Sequence, residues 1–147
     1  MTIYIGKKMS HCLDGKVIKN MKVADDQKAL LIITDQGELI VKVDGDCCSD
    51  TWIEAIETPA LGFPAKVFHV ENLDMPEPEK RGEFEVTTFY GCKIITDKGE
   101  IIIDYRNFSN GYYGGYLSWP DKDNFYGGVF GQNVSTENWL EISDVFN

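Results

Sequence analysis

The chain has 147 residues, 43% of them hydrophobic, and a formal charge of −10 from 24 acidic and 14 basic side chains. That length fits one domain able to bury about two-thirds of its unfolded surface, and the hydrophobic share excludes a disordered chain. The charge excludes a general nucleic-acid binder, which needs a basic footprint, and favours a partner with a Lys/Arg-rich surface.

The opening MTIYIGKKMSHCLDG lacks the apolar core and cleavage site of a secretory signal. No apolar run approaches the roughly 20 residues that span a bilayer, so no membrane partner is expected. A cytoplasmic protein is the expectation, in the host cytoplasm if phage-encoded, and a reducing compartment makes disulfides improbable. His11-Cys12 is the only adjacent His/Cys pair and has the chemistry of half a metal site, although a surface loop explains it equally.

Residues 32–43 read IITDQGELIVKV, and residues 94–105 read IITDKGEIIIDY. In each copy an apolar run, an Asp-x-Gly turn and an alternating run predict an antiparallel hairpin. Leu39, Val41 and Val43 alternate with Glu38, Lys42 and Asp44; Ile101, Ile103 and Tyr105 alternate with Glu100, Asp104 and Arg106. Period-two alternation gives each strand one apolar face.

Polar loops leave both hairpins. The first holds Asp46-Cys47-Cys48, followed by Thr51 and Glu54 at capping-box spacing, which predicts a short helix over 49–54 that ends before Pro59. Residues 65–70 read as a strand. Residues 75–82, rich in proline and charge, read as a loop joining halves 1–74 and 83–147. Residues 83–90 lead as a strand into the second hairpin, whose exit loop holds Ser109-Asn110-Gly111-Tyr112-Tyr113. The stretch 111–131 is dense in glycine and aromatics, and 139–145 reads as a last strand or short helix. The expected fold is α+β: a β-rich antiparallel single domain, built from two similar hairpin halves with one or two short helices.

Asp46-Cys47-Cys48, Thr88-Phe89-Tyr90 and Ser109-Asn110-Gly111-Tyr112-Tyr113 occur in the order of a known group. The chain resembles a family of small phage and bacterial proteins with DCCE-like, TFY and SNGYY motifs, over roughly residues 13–117. Ser49 stands where that family has an acid, and Gly114 where it has serine. The resemblance implies a phage or mobile-element setting without assigning a reaction.

Thiolate, imidazole and carboxylate are zinc ligands, so a structural zinc is one expectation, with Cys12, Cys47, Cys48 and His11 as its candidates. Adjacent cysteines on an extended chain point to opposite sides, so a shared ion needs one of them plus distant partners. Packing as small apolar groups explains the same thiols. Asp46, Ser109, Asn110, Gly111, Tyr112 and Tyr113 are the candidates for ligand or partner binding. No catalytic signature is present. Two functions follow. One is a non-enzymatic phage inhibitor of a host defence component, with a CRISPR-associated DNA nuclease the first case to test. The other is a zinc-dependent enzyme or small-ligand-binding protein using the two exit loops. A basic host protein is the expected partner, without direct nucleic-acid binding, and a homodimer is compatible with an exposed strand edge.

Overall fold

Thr-Asp-x-Gly closes both ribbons through the same local hydrogen bonds. The structure, a computed structural model, describes residues 12–45, 48–111, 114–119 and 138–146. The Thr34 hydroxyl donates to the Gly37 carbonyl at 2.7 Å and accepts the Gln36 amide at 3.1 Å. Thr96 does the same with Gly99 and Lys98 at 2.7 and 3.1 Å. Gly37 and Gly99 hold φ at +113° and +128°, a region that a side chain would strain. The aspartates reach further than a turn requires. Asp35 Oδ1 accepts the Val17 amide at 2.9 Å, and Asp97 Oδ1 accepts the Lys66 amide at 2.8 Å. Each aspartate N–H returns a 3.0 Å bond to the carbonyl of that same residue, so each turn staples a third strand to its hairpin.

The first copy comprises β1 (Val17–Ala24), β2 (Ala29–Thr34), β3 (Gly37–Gly45) and β4 (Asp50–Glu57). The second comprises β5 (Ala65–Leu73), β6 (Glu79–Gly82), β7 (Glu85–Thr96), β8 (Gly99–Ser109) and β9 (Gly115–Ser118). Later come β10 (Trp139–Glu141) and helix α1 (Ile142–Val145). Register is repeated as well as shape. Ile32 pairs with Leu39 and Leu30 with Val41; Ile94 pairs with Ile101 and Cys92 with Ile103. The first strand of each copy carries a bulge at the matching place, between Ile18 and Asn20 and between Val67 and His69.

β1, β2, β3 and β4 therefore match β5, β7, β8 and β9, and the fourth strands are exchanged. β4 pairs with β8 and β9 pairs with β3, giving the order β4-β8-β7-β5-β1-β2-β3-β9, with β6 on β7 and β10 on β1. Val17–Lys66 and Ile18–Ala65 pairs join the copies. The bulges then bend β1 and β5 onto their own hairpins. Ile18, Met21, Leu30, Ile32, Leu39 and Val41 of the first copy share one core with Ile53, Ile94, Ile101, Ile103 and Leu117. Each such aliphatic side chain contributes about 1.5–3 kcal/mol by burial.

Three expectations are corrected or narrowed. Residues 49–54 form no helix: Asp50–Glu57 is β4, with Thr51, Ile53 and Ile56 buried. Thr, Trp and Ile suit a strand, and the β8 ladder outweighs a local capping pattern. The α+β expectation narrows to a mostly antiparallel β domain, with 65% of the described residues in strands that do not close into a barrel. Helix among the described residues is limited to α1 and a turn at 12–13. Within the predicted loop 75–82, Glu79–Gly82 is a strand, and the segment follows β5 rather than preceding the second copy. Strand and helix both occur in the last predicted element, as β10 and then α1. Among the described residues, no helix is long and apolar enough to cross a membrane.

Candidate functional site

The strand ends that carry the two exit loops meet at one corner of the fold. β3 ends at Gly45, which pairs with Gly115 of β9, while Asn107 of β8 pairs with Thr51 of β4. These residues touch. The Asn107 side-chain amide donates to Thr51 Oγ1 at 2.9 Å, in full burial. A Cβ on Gly45 would lie 2.7 Å from Thr51 Oγ1, and one on Gly115 would lie 2.5 Å from the same atom. Both crossovers therefore start against a packed polar plug with no space for larger residues.

The Ser109-Asn110-Gly111 turn is built by the Ser109 hydroxyl, which accepts the Gly111 amide at 3.0 Å. Gly111 holds φ at +101° with Val86 directly beside it. Ser109 is buried and also pairs with Val86, so this candidate segment braces β7. Tyr90 couples the second and third motifs. Its hydroxyl accepts the Gly115 amide at 3.2 Å, and its ring stacks on Tyr105 with centroids 5.1 Å apart. A Cβ on Gly114 would lie 2.7 Å from the Tyr90 hydroxyl. Burial pushes the Tyr105 hydroxyl above its usual range.

Cys48 is exposed, with φ at +68°, on the first crossover. Cys12 is half-buried against the core, and Cys92 is fully buried with its thiol pushed up to about 12 by desolvation. Among the described residues, no three His, Cys, Asp or Glu side chains stand close enough to hold a metal ion. His11, Asp46, Cys47, Tyr112 and Tyr113 lie outside the described residues, as does most of the 111–131 aromatic stretch.

Two surfaces escaped the motif search. On the outer face of β8, Arg106 lies between its cross-strand partners Trp52 and Phe89, its guanidinium 5.0 Å from the Phe89 ring centroid. Asp104 approaches it at 3.5 Å, and partial burial pushes that carboxyl up despite the cation. The second surface is the β6–β7 ribbon. Comparison of the copies exposes it: four residues, 25–28, join β1 to β2, whereas 74–90 intervene between the matching ends of β5 and β7. All of β6 is exposed, and Phe84 at the tip is 64% exposed between Glu83 and Glu85. The single-copy insertion could have been found by aligning the two halves of the sequence.

A family model described as a domain of unknown function, DUF7448, matches residues 6–119. The chain belongs to the DUF7448 family. The chain is also similar to the uncharacterized protein L278 of Acanthamoeba polyphaga mimivirus, with 28% identity over 124 residues, covering 74% of this chain and 96% of that protein. No solved structure matches it. The DUF7448 region takes in both crossovers and the ribbon, so these features lie within the matched fold.

Proposed function

We propose that the chain is a non-enzymatic binding protein of a virus or mobile element, which inhibits a host defence component by occupying a basic surface. The carrying observation is the ribbon. It interrupts an otherwise repeated frame, leaves all of β6 exposed, and presents an apolar tip between carboxylates. Glu83 and Glu85 flank Phe84 in the chain, Glu77 and Glu79 precede it, the four together outnumber Lys80 and Arg81, and Arg81 is engaged by Glu79 at 2.9 Å. An exposed aromatic flanked by acids suits a basic groove: the ring supplies buried area, and the charges steer encounter. Similarity to a mimivirus protein supports the viral setting.

A CRISPR-associated DNA nuclease is the first target to test, because such enzymes hold nucleic acid in positively charged channels. Purified protein, nuclease, guide and target are mixed at low and high salt. Inhibition of DNA loading should weaken as salt rises and disappear in Phe84→Ala and in the Glu83→Lys/Glu85→Lys double variant. Undiminished DNA binding and cleavage at both salts disposes of the reading for that nuclease.

The convergence of the two crossovers beside the packed corner of Gly45, Thr51, Asn107 and Gly115 favours a second reading, a zinc or small-ligand site on the exit loops that carry Cys48 and Asn110. Elemental analysis of chelator-free protein, followed by Cys48→Ala and Asn110→Ala, tests it. Metal or ligand lost with melting unchanged supports a site; a collapsed fold supports bracing alone.

A further inference from the structure

The insertion that carries the ribbon also encloses a cavity between its two ends. Asp74 and Met75 leave β5 on one side, Phe89 and Tyr90 return along β7 on the other, and about 150 Å³ is left between them. In the first copy residues 25–28 turn directly from β1 into β2, so these walls belong to the second copy alone. Position 91 is adapted to them. Gly91 matches Ala29, since Gly91 lies opposite Asp104 as Ala29 lies opposite Lys42. A Cβ on Gly91 would stand 2.8 Å from Met75 Sδ and 3.0 Å from Leu73 Cβ, so glycine lets Met75 lie directly against the β7 backbone.

Tyr105 of β8 supplies the inner wall. It is only 5% exposed, yet its hydroxyl has no hydrogen-bond partner among the described residues. Tyr90, stacked on it, directs its own hydroxyl to the Gly115 amide. A buried hydroxyl left unpaired is costly, so this one marks a place for a ligand atom. Asp74 is exposed on the opposite wall, and its carboxylate also has no partner among the described residues.

Size and chemistry select the occupant. A cavity of about 150 Å³ holds one benzene-sized ring, or a side chain of that bulk. The polar groups around it, two tyrosine hydroxyls, the Asn72 amide oxygen and the Asp74 carboxylate, can all accept hydrogen bonds. Arginine brings five N–H donors and no acceptor on a planar head, with an apolar stem for Leu73, Met75 and Phe89. Lysine brings a more strongly hydrated head, which loses more on entering a partly closed site. An anion is repelled by Asp74 and by a chain carrying −10. Arg106 already covers one face of Phe89, but Asp104, 3.5 Å away, offsets its charge.

We infer that this cavity takes the side chain of an arginine of the partner protein, with its head between Asp74 and the Tyr105 hydroxyl and its stem against Met75. This deepens the reading of the chain as a binder of basic surfaces and rests on it. It adds an anchor at the root of the ribbon and does not depend on Phe84 or on any one target.

The probe is a blocked Gly-Arg-Gly tripeptide, compared with its citrulline and lysine counterparts and with guanidinium chloride. Each is titrated into the full chain, and NMR shifts of the Met75 methyl and the Gly91 amide read occupancy. No nuclease is present, so failure here is separable from failure in the inhibition assay. The arginine peptide should move both signals saturably, and each comparison compound should bind about tenfold more weakly. Tyr105→Phe keeps the ring stack and should weaken arginine binding about fivefold with melting retained. Asp74→Asn, at an exposed position, should do the same. Absence of a saturable shift, equal binding of any comparison compound, shifts confined to residues 79–85, or indifference to both substitutions each overturns the inference.

Discussion

Thr51 and Gly115 are equivalent residues of the two copies, as are Asn107 and Gly45. Each copy supplies one side chain and one glycine to the corner, Thr51 and Gly45 from the first and Asn107 and Gly115 from the second. Gly115→Ala places a methyl group 2.5 Å from Thr51 Oγ1 and should destabilise the fold by about 1–3 kcal/mol in urea unfolding. Thr51→Ala removes both contacting atoms, so the double variant should be less destabilised than the sum of the singles. Strict additivity would refute the steric account. Cysteine reactivity follows burial in the same way. Desolvation holds Cys92 protonated up to about 12, whereas Cys48 is exposed. Iodoacetamide at pH 8 followed by mass spectrometry should therefore modify Cys48 and spare Cys92 until unfolding. Rapid native labelling of Cys92 would contradict its place in the core.

At the scale of elements, β10 is held to β1 by a short ladder and by Glu141. The Asn20 side-chain amide and then the Lys22 ammonium hold that carboxylate below its usual range. A depressed folded pKa stabilises the docked strand above the ordinary carboxylate range, and the contribution is lost as pH falls through the folded value. Amide exchange in 139–141 should therefore accelerate, relative to the core, as pH falls below about 4, with Asn20→Ala moving the onset upward. An onset unmoved by Asn20→Ala would assign the hold to backbone pairing alone. The hairpins could be read from sequence because alternation and Thr-Asp-x-Gly are local signals. β4 could not: its partner β8 lies some fifty residues away, and the capping-box spacing of Thr51 and Glu54 imitated a helix start. β6 gave no signal either, since an exposed strand has no apolar face to alternate. For the candidate site, the sequence located both crossovers by their matching positions. It did not show that Ser109 and Gly111 brace Val86, or that Tyr90 supports the second crossover, because such contacts depend on which strands are exchanged.

The exchange of β4 and β9 ties the whole molecule together: neither copy completes its own sheet. Leu61, in the connection between β4 and β5, is 75% accessible, so a break after it removes little packing. Fragments 1–61 and 62–147, produced together, should copurify as a one-to-one complex whose melting depends on concentration. The corner residues also determine which pairs form. Two first copies would set Thr51 against Thr51, where the native pair sets it against Gly115; two second copies would set glycine against glycine and leave a void. Both like pairs lose to the mixed one, a device that specifies against alternatives sharing the same frame. Thr51→Gly in fragment 1–61 removes the clash and should raise its self-association in sedimentation measurements. If unmodified 1–61 already forms homodimers as stable as the mixed complex, the complementarity of this corner does not govern assembly, and the joining of the copies in one chain needs another cause.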